Sequence, residues 1–353
     1  MDYRDAEEGS NVVYDEATVT ALEDFYERIH TAGQLDDGIE AEETAERLYR
    51  DAVDLDYPQG MMTALILRYS SEFNREARVE SLQTFMRAIQ LWDSRAEEIE
   101  PGIRQVILHI YPVAIDAMIA LPGIPAARID AVLDHMVRAH QLEGAPMSTV
   151  ALCRAQWAAE TGDIAAALGH LEAFLVDPEG WTQALQLRLG LMIYEATSMH
   201  EAGLQFVDER VAGAELDDDD RIYVGGTRSA LLVREGRAVE AEAIARGLLE
   251  DFTLDVLHEE VGVEYLVLAL LEDRPAVQRL IDWCDPDPLD SPNPAVFHLQ
   301  AACARFYLAD PATAALGEKY RAEAMANAAK FDARNGTSYR SDQMRRYWLG
   351  EST

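Results

Sequence analysis

An all-α chain of stacked helix pairs is predicted, and three observations carry the prediction. A small residue, usually a large one four positions on, and another residue three later recur as Ala45/Tyr49/Ala52, Ser81/Phe85/Ala88, Ala167/Leu171/Phe174 and Ala241/Ala245/Leu248. On a helix of 3.6 residues per turn each set falls on one face, and the small members let a neighbouring helix approach closely. The turn glycines Gly162 and Gly236 lie 74 positions apart, or two steps of 37, which is a solenoid spacing. Hydrophobic residues make up 49% of the 353, enough to order a long array.

The elements follow in order. Glu16 to Gly33 carries Leu22, Phe25, Tyr26 and Ile29 on one face, Gly33 to Gly38 turns the chain, and Ala41 to Asp54 completes a pair that Pro58 closes, because proline cannot continue a helix. Gly60 to Phe73 and Arg78 to Trp92 form the next pair. The stretch 100–145 is irregular: Pro112 is expected to kink or split its first helix, Leu121-Pro122-Gly123 breaks it again, and Ala127 to Gln141 is its second helix. From Ser148 the pattern sharpens. Ser148 to Glu160 with Ile164 to Val176, Gln183 to Ser198 with Glu201 to Ala212, and Arg221 to Arg234 with Ala238 to Asp251 read as three modules. Val256 to Leu271, Ala276 to Trp283, Pro294 to Leu308, Pro311 to Asn335 and an amphipathic Ser338 to Leu349 follow, with a Pro/Asp-rich surface loop at 284–294. The organisation expected is a disordered acidic leader at 1–14, a continuous array over 15–337 and a capping helix and tail over 338–353.

The modules from 148 to 250 resemble the tetratricopeptide repeat (TPR). Ala155, Gly162-Asp163, Ala167, Leu171, Phe174 and Pro178 follow that family's order, with Leu189-Gly190, Ala202 and Phe206, then Ser229, Gly236, Ala241, Ala245 and Leu248, in matching places. The pattern departs from the family at Thr197, where a turn glycine is expected, and lacks the first-helix Trp and two terminal prolines. The resemblance implies an α-solenoid of antiparallel helix pairs in a right-handed superhelix. It also implies a concave groove, lined by the first helices, that binds an extended peptide or a partner helix. Carried over position by position, the groove candidates are Ser70, Phe73 and Asn74; Gln156, Ala159 and Glu160; Leu191, Tyr194 and Glu195; and Ala230, Val233 and Arg234. For Phe73 and Tyr194 the competing role is packing between repeats. The family's clamp for a C-terminal carboxylate needs Lys, Asn and Arg, and Leu152, Leu187 and Gly226 stand in one of its key columns.

Charge narrows the partners. With 30 basic and 64 acidic side chains the net charge is −34, which disfavours nucleic acid and anionic membranes and favours a basic peptide or protein, or serves solubility alone. The trend reverses at the C-terminus, where Arg334, Arg340, Arg345 and Arg346 interleave with Tyr339, Tyr347 and Trp348. Such a patch can bind phosphate, a nucleic-acid end or an acidic partner. The surplus carboxylates give it an intramolecular partner, so it is expected to pack back and cap the array.

No phosphate-binding, dinucleotide, nucleophile-elbow or zinc-protease motif occurs, so neither a catalytic residue nor a cofactor or metal is predicted. His258-Glu259-Glu260 lacks the second histidine of a zinc site, and His135 and His140 lie about 140° apart around a helix. Asp217 to Asp220 reads as a helix N-cap rather than a calcium loop. Cys153, Cys284 and Cys303 read as free thiols. Met1 to Ser10 has no apolar core, and Val106 to Leu121 reads as too short and too polar to span a bilayer, so a cytoplasmic protein is expected. The expected function is an interaction scaffold or adaptor holding a peptide or partner helix in the groove. The alternative is a bacterial regulatory sensor whose array binds a peptide or small ligand and signals to a separate output protein, with a helical-repeat enzyme a third class.

Overall fold

The computed structural model describes residues 16–178, 180–253, 263–284 and 294–351. The chain is all-α: 82% helical, with 17 α-helices and no strand among the described residues. It divides into two compact units, the first ending at Ala114 and the second beginning at Ile115. The division falls within the stretch 100–145 that the sequence pattern marks as irregular.

The first unit contains α1 (Glu16–Ala32), α2 (Ile39–Asp54), α3 (Pro58–Asn74) and α4 (Arg78–Arg95), and the start of α5 (Pro101–Ala120). Pro58 opens α3 at its first position, where the missing N–H costs nothing. Consecutive helices pack on one another, and α1 also packs on α3. The spaced small residues lie inward as predicted: Ala45, Ala52, Ser81, Phe85 and Ala88 are all buried. Tyr49 is half-buried, with the Arg87 guanidinium 4.3 Å above its ring.

Two expectations for α5 need correction. Pro112 lies inside a continuous 20-residue helix and does not split it, while the break at Leu121-Pro122-Gly123 stands where expected. By length and composition α5 is long and apolar enough to cross a membrane, not too short as its sequence suggested, because the helix starts five residues before the apolar run. Its face formed by Ile107, Leu108, Tyr111, Ala114, Ile115 and Met118 is buried in the protein.

The second unit continues with α6 (Ala126–Glu143), α7 (Ser148–Thr161), α8 (Ile164–Val176), α9 (Gln183–Ala196), α10 (His200–Arg210), α11 (Asp218–Arg234) and α12 (Ala238–Asp251). After these come α13 (Val263–Ala269), α14 (Arg274–Cys284), α15 (Pro294–Leu308), α16 (Ala314–Asn335), α17 (Tyr339–Gln343) and a π-helical turn Met344–Trp348. Two packing orders coexist. Consecutive helices pair, as in α7 with α8, α9 with α10 and α11 with α12, while α7, α9, α11, α13 and α15 also pack each on the next in that series. Ala167, Leu171, Phe174, Ala241, Ala245 and Leu248 are buried between them.

Local chemistry sets several boundaries. Asp163 and Thr182 cap α8 and α9 by accepting from Ala166 N and Leu185 N, and Asp217 caps α11 by accepting from Asp220 N at 2.9 Å. The acidic run is therefore a cap followed by three first-turn aspartates, whose charge suits the positive end of a helix. Gly162 ends α7 in the left-handed region at φ +82. The leader 1–14, His258-Glu259-Glu260 and most of the 284–294 loop lie outside the described residues.

Candidate functional site

The second unit collects buried charge at the C-terminal ends of α7, α9 and α11. Glu160, Glu195 and Arg234 each stand two residues before a turn position, Gly162, Thr197 and Gly236 respectively. A carboxylate at that end of a helix opposes the macrodipole, so each needs a nearby cation.

Glu160 has two cations. One carboxylate oxygen accepts from Arg334 Nη2 at 3.2 Å, and the other from Arg340 Nε at 2.9 Å and from Arg340 Nη2. The side chains of Glu160 and Arg334 are only 3% and 1% exposed. Every donor group of Arg334 is used: Nη1 donates to the carbonyls of Met118, Ile119 and Leu121 at the end of α5, with Ile119 closest at 2.6 Å, and Nε donates to Asn335. Asn335 in turn donates to the Glu160 carbonyl at 3.0 Å. Burial works against the Arg340 charge, but the adjoining Glu160 more than offsets it and raises its pKa. Such a pair is held by geometry and hydrogen bonding rather than by charge alone.

A second node lies beside it. Arg234 Nη1 donates to Glu195 at 2.6 Å, and the Arg234 guanidinium stands 4.8 Å from the Trp348 ring. His298 stacks on the same indole, 4.3 Å between centroids and 8° from parallel. Burial opposes the Glu195 charge, yet the adjoining Arg234 holds its pKa below the usual value. Burial drives His298 down to about 3 and His200, edge-on to Tyr347, down to about 4. Both imidazoles are therefore neutral at pH 7.

The chain from Tyr339 to Leu349 supplies the other side of both nodes. Asp332 accepts from the backbone N–H groups of Arg340 and Ser341 at 2.9 and 3.0 Å and so caps α17. Tyr339 Oη and Gln343 Nε2 donate to the Ala196 carbonyl at 2.7 and 2.6 Å. The Tyr339 ring lies so close to Gly162 that a Cβ there would meet it at 2.7 Å. Met344, Trp348 and Leu349 are buried in the hydrophobic core.

Beyond these nodes the same faces are more open. Gln156 on α7 approaches Met192 Sδ at 3.9 Å, Arg188 lies 4.7 Å above the Tyr223 ring, and all four are half-buried. Asp116, exposed on α5, acts electrostatically on the Tyr223 hydroxyl, as do Glu195 and Arg188; burial dominates and raises that hydroxyl to about 12.

The candidates separate accordingly. Gln156, Glu160, Glu195 and Arg234 share this face, and Arg340, Tyr347 and Trp348 reach it from the C-terminal segment. Leu191 is fully buried, Val233 packs on the same core, and Tyr194 packs on Phe206 at 5.3 Å. These three serve packing, as do the buried Ala159 and Ala230. The error is one of helical phase: Leu187, Leu191 and Tyr194 form the core stripe of α9, and the neighbouring stripe Arg188, Met192 and Glu195 forms the polar one. Arg345 and Arg346 are exposed; Arg345 pairs with Asp342 at 3.0 Å and Arg346 lies over Tyr347. Ser70, Phe73 and Asn74 belong to the first unit and are exposed, Phe73 stacked on Tyr69 and Asn74 donating to Asp37 at 2.7 Å.

Asp332, Asn335, Gln343 and His298 escaped the sequence reading. A lone imidazole in the apolar run Pro294–Leu308 and the stop at Gly336 before a second helical start were the available signals. No cluster of three or more His, Cys, Asp or Glu suited to a metal occurs among the described residues. No protein-family model, curated protein or solved structure matches this chain.

Proposed function

We propose that this protein is an interaction scaffold, a TPR-like solenoid of antiparallel helix pairs in a right-handed superhelix that holds a peptide or partner helix against the faces of α7, α9 and α11. The support for the solenoid is the double packing order, within pairs and along the series α7, α9, α11, α13, α15. The observation that carries the binding reading is chemical. These faces already hold a helical segment through an arginine fork on a sealed carboxylate and an indole packed on a guanidinium and an imidazole. Helix-in-groove recognition uses such anchors.

The more open part of the face, Gln156, Arg188, Met192 and Tyr223, is where a partner first makes contact. A photoreactive amino acid placed at Gln156 or Tyr223 in the native host is expected to crosslink to the same protein partner. Placed at Ala173, on the exposed side of α8, it is expected to give none. Equal crosslinking from all three positions, or none from any, would overturn the scaffold reading.

A further inference from the structure

We propose that residues 339–349 are an intramolecular ligand. The surface at the ends of α7, α9 and α11 is a recognition site for a helix bearing Arg-x3-Met/Leu-x3-Trp, and the chain's own segment fills it until a partner helix with that pattern displaces it. The inference rests on the scaffold reading above and names the partner's chemistry.

The segment presents its anchors at Arg340, Met344 and Trp348, four residues apart, so that they fall on one side of a helix. Each meets a fitted acceptor: Arg340 the Glu160 carboxylate, Met344 the hydrophobic core, and Trp348 the Arg234 guanidinium and the rings of His298 and Tyr265. Arg345 and Arg346 stay exposed, as residues of a ligand helix facing away from its receptor would. A protein of charge −34 draws a basic helix toward it before any contact forms.

The acceptor surface does not depend on the segment for its charge balance. With 339–349 removed, Glu160 keeps Arg334 and the hydrogen bond from Asn335 to its carbonyl, both from α16, and Arg234 keeps Glu195. The two buried ion pairs therefore survive the segment's departure, which avoids the main penalty of breaking a sealed pair, and of the buried carboxylates here only Asp332 gives up its partners, the backbone N–H groups of Arg340 and Ser341. The segment is joined to α16 through Gly336, Thr337 and Ser338, all exposed, with Gly336 in the left-handed region at φ +69. It ends in a π-helical turn, a less regular geometry than the α-helix and one common at functional sites.

The test uses the full chain and a fluorescein-labelled peptide of residues 337–353. Tethering gives the resident segment an effective concentration on the order of millimolar. Wild type is therefore expected to bind the peptide about 100-fold or more weakly than the Arg340→Ala/Trp348→Ala chain, whose resident segment has lost its anchors. An Arg340→Ala peptide, or a Glu160→Gln change in the same double variant, is expected to abolish binding. If the folded double variant binds no peptide, the proposal fails. Because that variant can lose its fold, hydrogen exchange on wild type is the second measurement. Amides of 341–349 are expected to exchange by local opening, faster than those of Leu231 and Leu232 in α11. Exchange of both sets only through global unfolding would overturn the proposal. A doubled mass reversed by added peptide would identify a second copy of this chain as the occupant and would overturn the partner assignment. Crosslinking from Gln156 and Tyr223 is scored separately, so failure here leaves the scaffold reading standing or falling on its own result.

Discussion

Glu72 in the first unit and Glu160 in the second are both sealed from solvent, at 0% and 2% exposure, yet they are neutralised over different distances. Glu72 pairs with Arg68 one helical turn away at 2.7 Å, and Arg68 and Arg87 share Glu46, all within two adjoining helix pairs. Glu160 takes its cations from 174 and 180 residues downstream. The first network needs only α2, α3 and α4 to pack on one another, whereas the second needs residues 334–340 to pack on the end of α7. A local network stabilises a few helices, and a long-range one joins the last helices to the ends of α7, α9 and α11 at the entropic cost of closing a long loop.

The largest expected effect breaks that contrast directly. Glu160→Ala leaves Arg334 and Arg340 buried and short of an acceptor, and should cost about 3–5 kcal/mol in urea unfolding. Glu46→Ala, whose partners Arg68 and Arg87 are a quarter to a third exposed and whose third partner Arg50 is largely exposed, should cost about 1 kcal/mol or less. Equal losses would show that the distance over which a pair is made has no bearing on how well it is sealed.

A second effect centres on the second unit, which holds Glu264, His200 and His298. Burial raises the Glu264 carboxyl to about 8, so between 4.5 and 8 the folded protein holds a proton that the unfolded chain has released. Stability from this group is full below 4.5 and is lost as pH rises through 8, by about 1.4 kcal/mol per unit. His200 and His298, depressed to about 4 and 3, act with the opposite sense: their contribution is present above 6.5 and lost as pH falls. Glu264→Gln should flatten the decline between pH 6.5 and 8 in thermal unfolding and leave the acid side unchanged.

Much of this was legible in the sequence. The spaced small residues located the buried faces of α2, α4, α8 and α12, since close approach of helices demands small side chains whatever the neighbours are. Glu160, Glu195 and Arg234 were named as groove positions from the resembled repeat alone, and the fold brings them to the ends of α7, α9 and α11. Leu191, Tyr194 and Val233 were assigned to the groove one residue out of phase. A helix packed on several sides carries apolar residues over a wide arc, so hydrophobicity alone could not separate core from groove. The pairing of Arg340 with Glu160 spans 180 residues, and only the fold brings those positions together.

The turns sharpen the comparison further. Gly162→Ala and Gly236→Ala both force a side chain into the left-handed region, at φ +82 and +76, and each should cost about 1–2 kcal/mol. At Gly236 nothing lies within 4 Å, but at Gly162 the new methyl meets the Tyr339 ring at 2.7 Å. Gly162→Ala should therefore cost about 1–3 kcal/mol more, and truncating Tyr339 to Ala in the same chain should recover that excess. No recovery would mean that the glycine answers only to its backbone angle.

The smallest effect lies at the matching turn of the first unit. Between α3 and α4 the left-handed position is filled by Glu76, at φ +59, its N–H donating to Phe73 O at 2.9 Å. Glycine removes the strain of a Cβ in that region, on the order of 1 kcal/mol, but gives the unfolded chain more freedom, which offsets about half of it. Glu76→Gly should thus stabilise the protein by about 0.5 kcal/mol, read as a small upward shift of the urea midpoint with an unchanged slope. The sign is what matters: Glu76 is exposed, so nothing but its own backbone angle is at stake, whereas Gly162 must be bare because an aromatic ring rests on it. A loss on Glu76→Gly would mean that the glutamate side chain itself holds the turn, and the contrast between a free turn and a covered one would collapse.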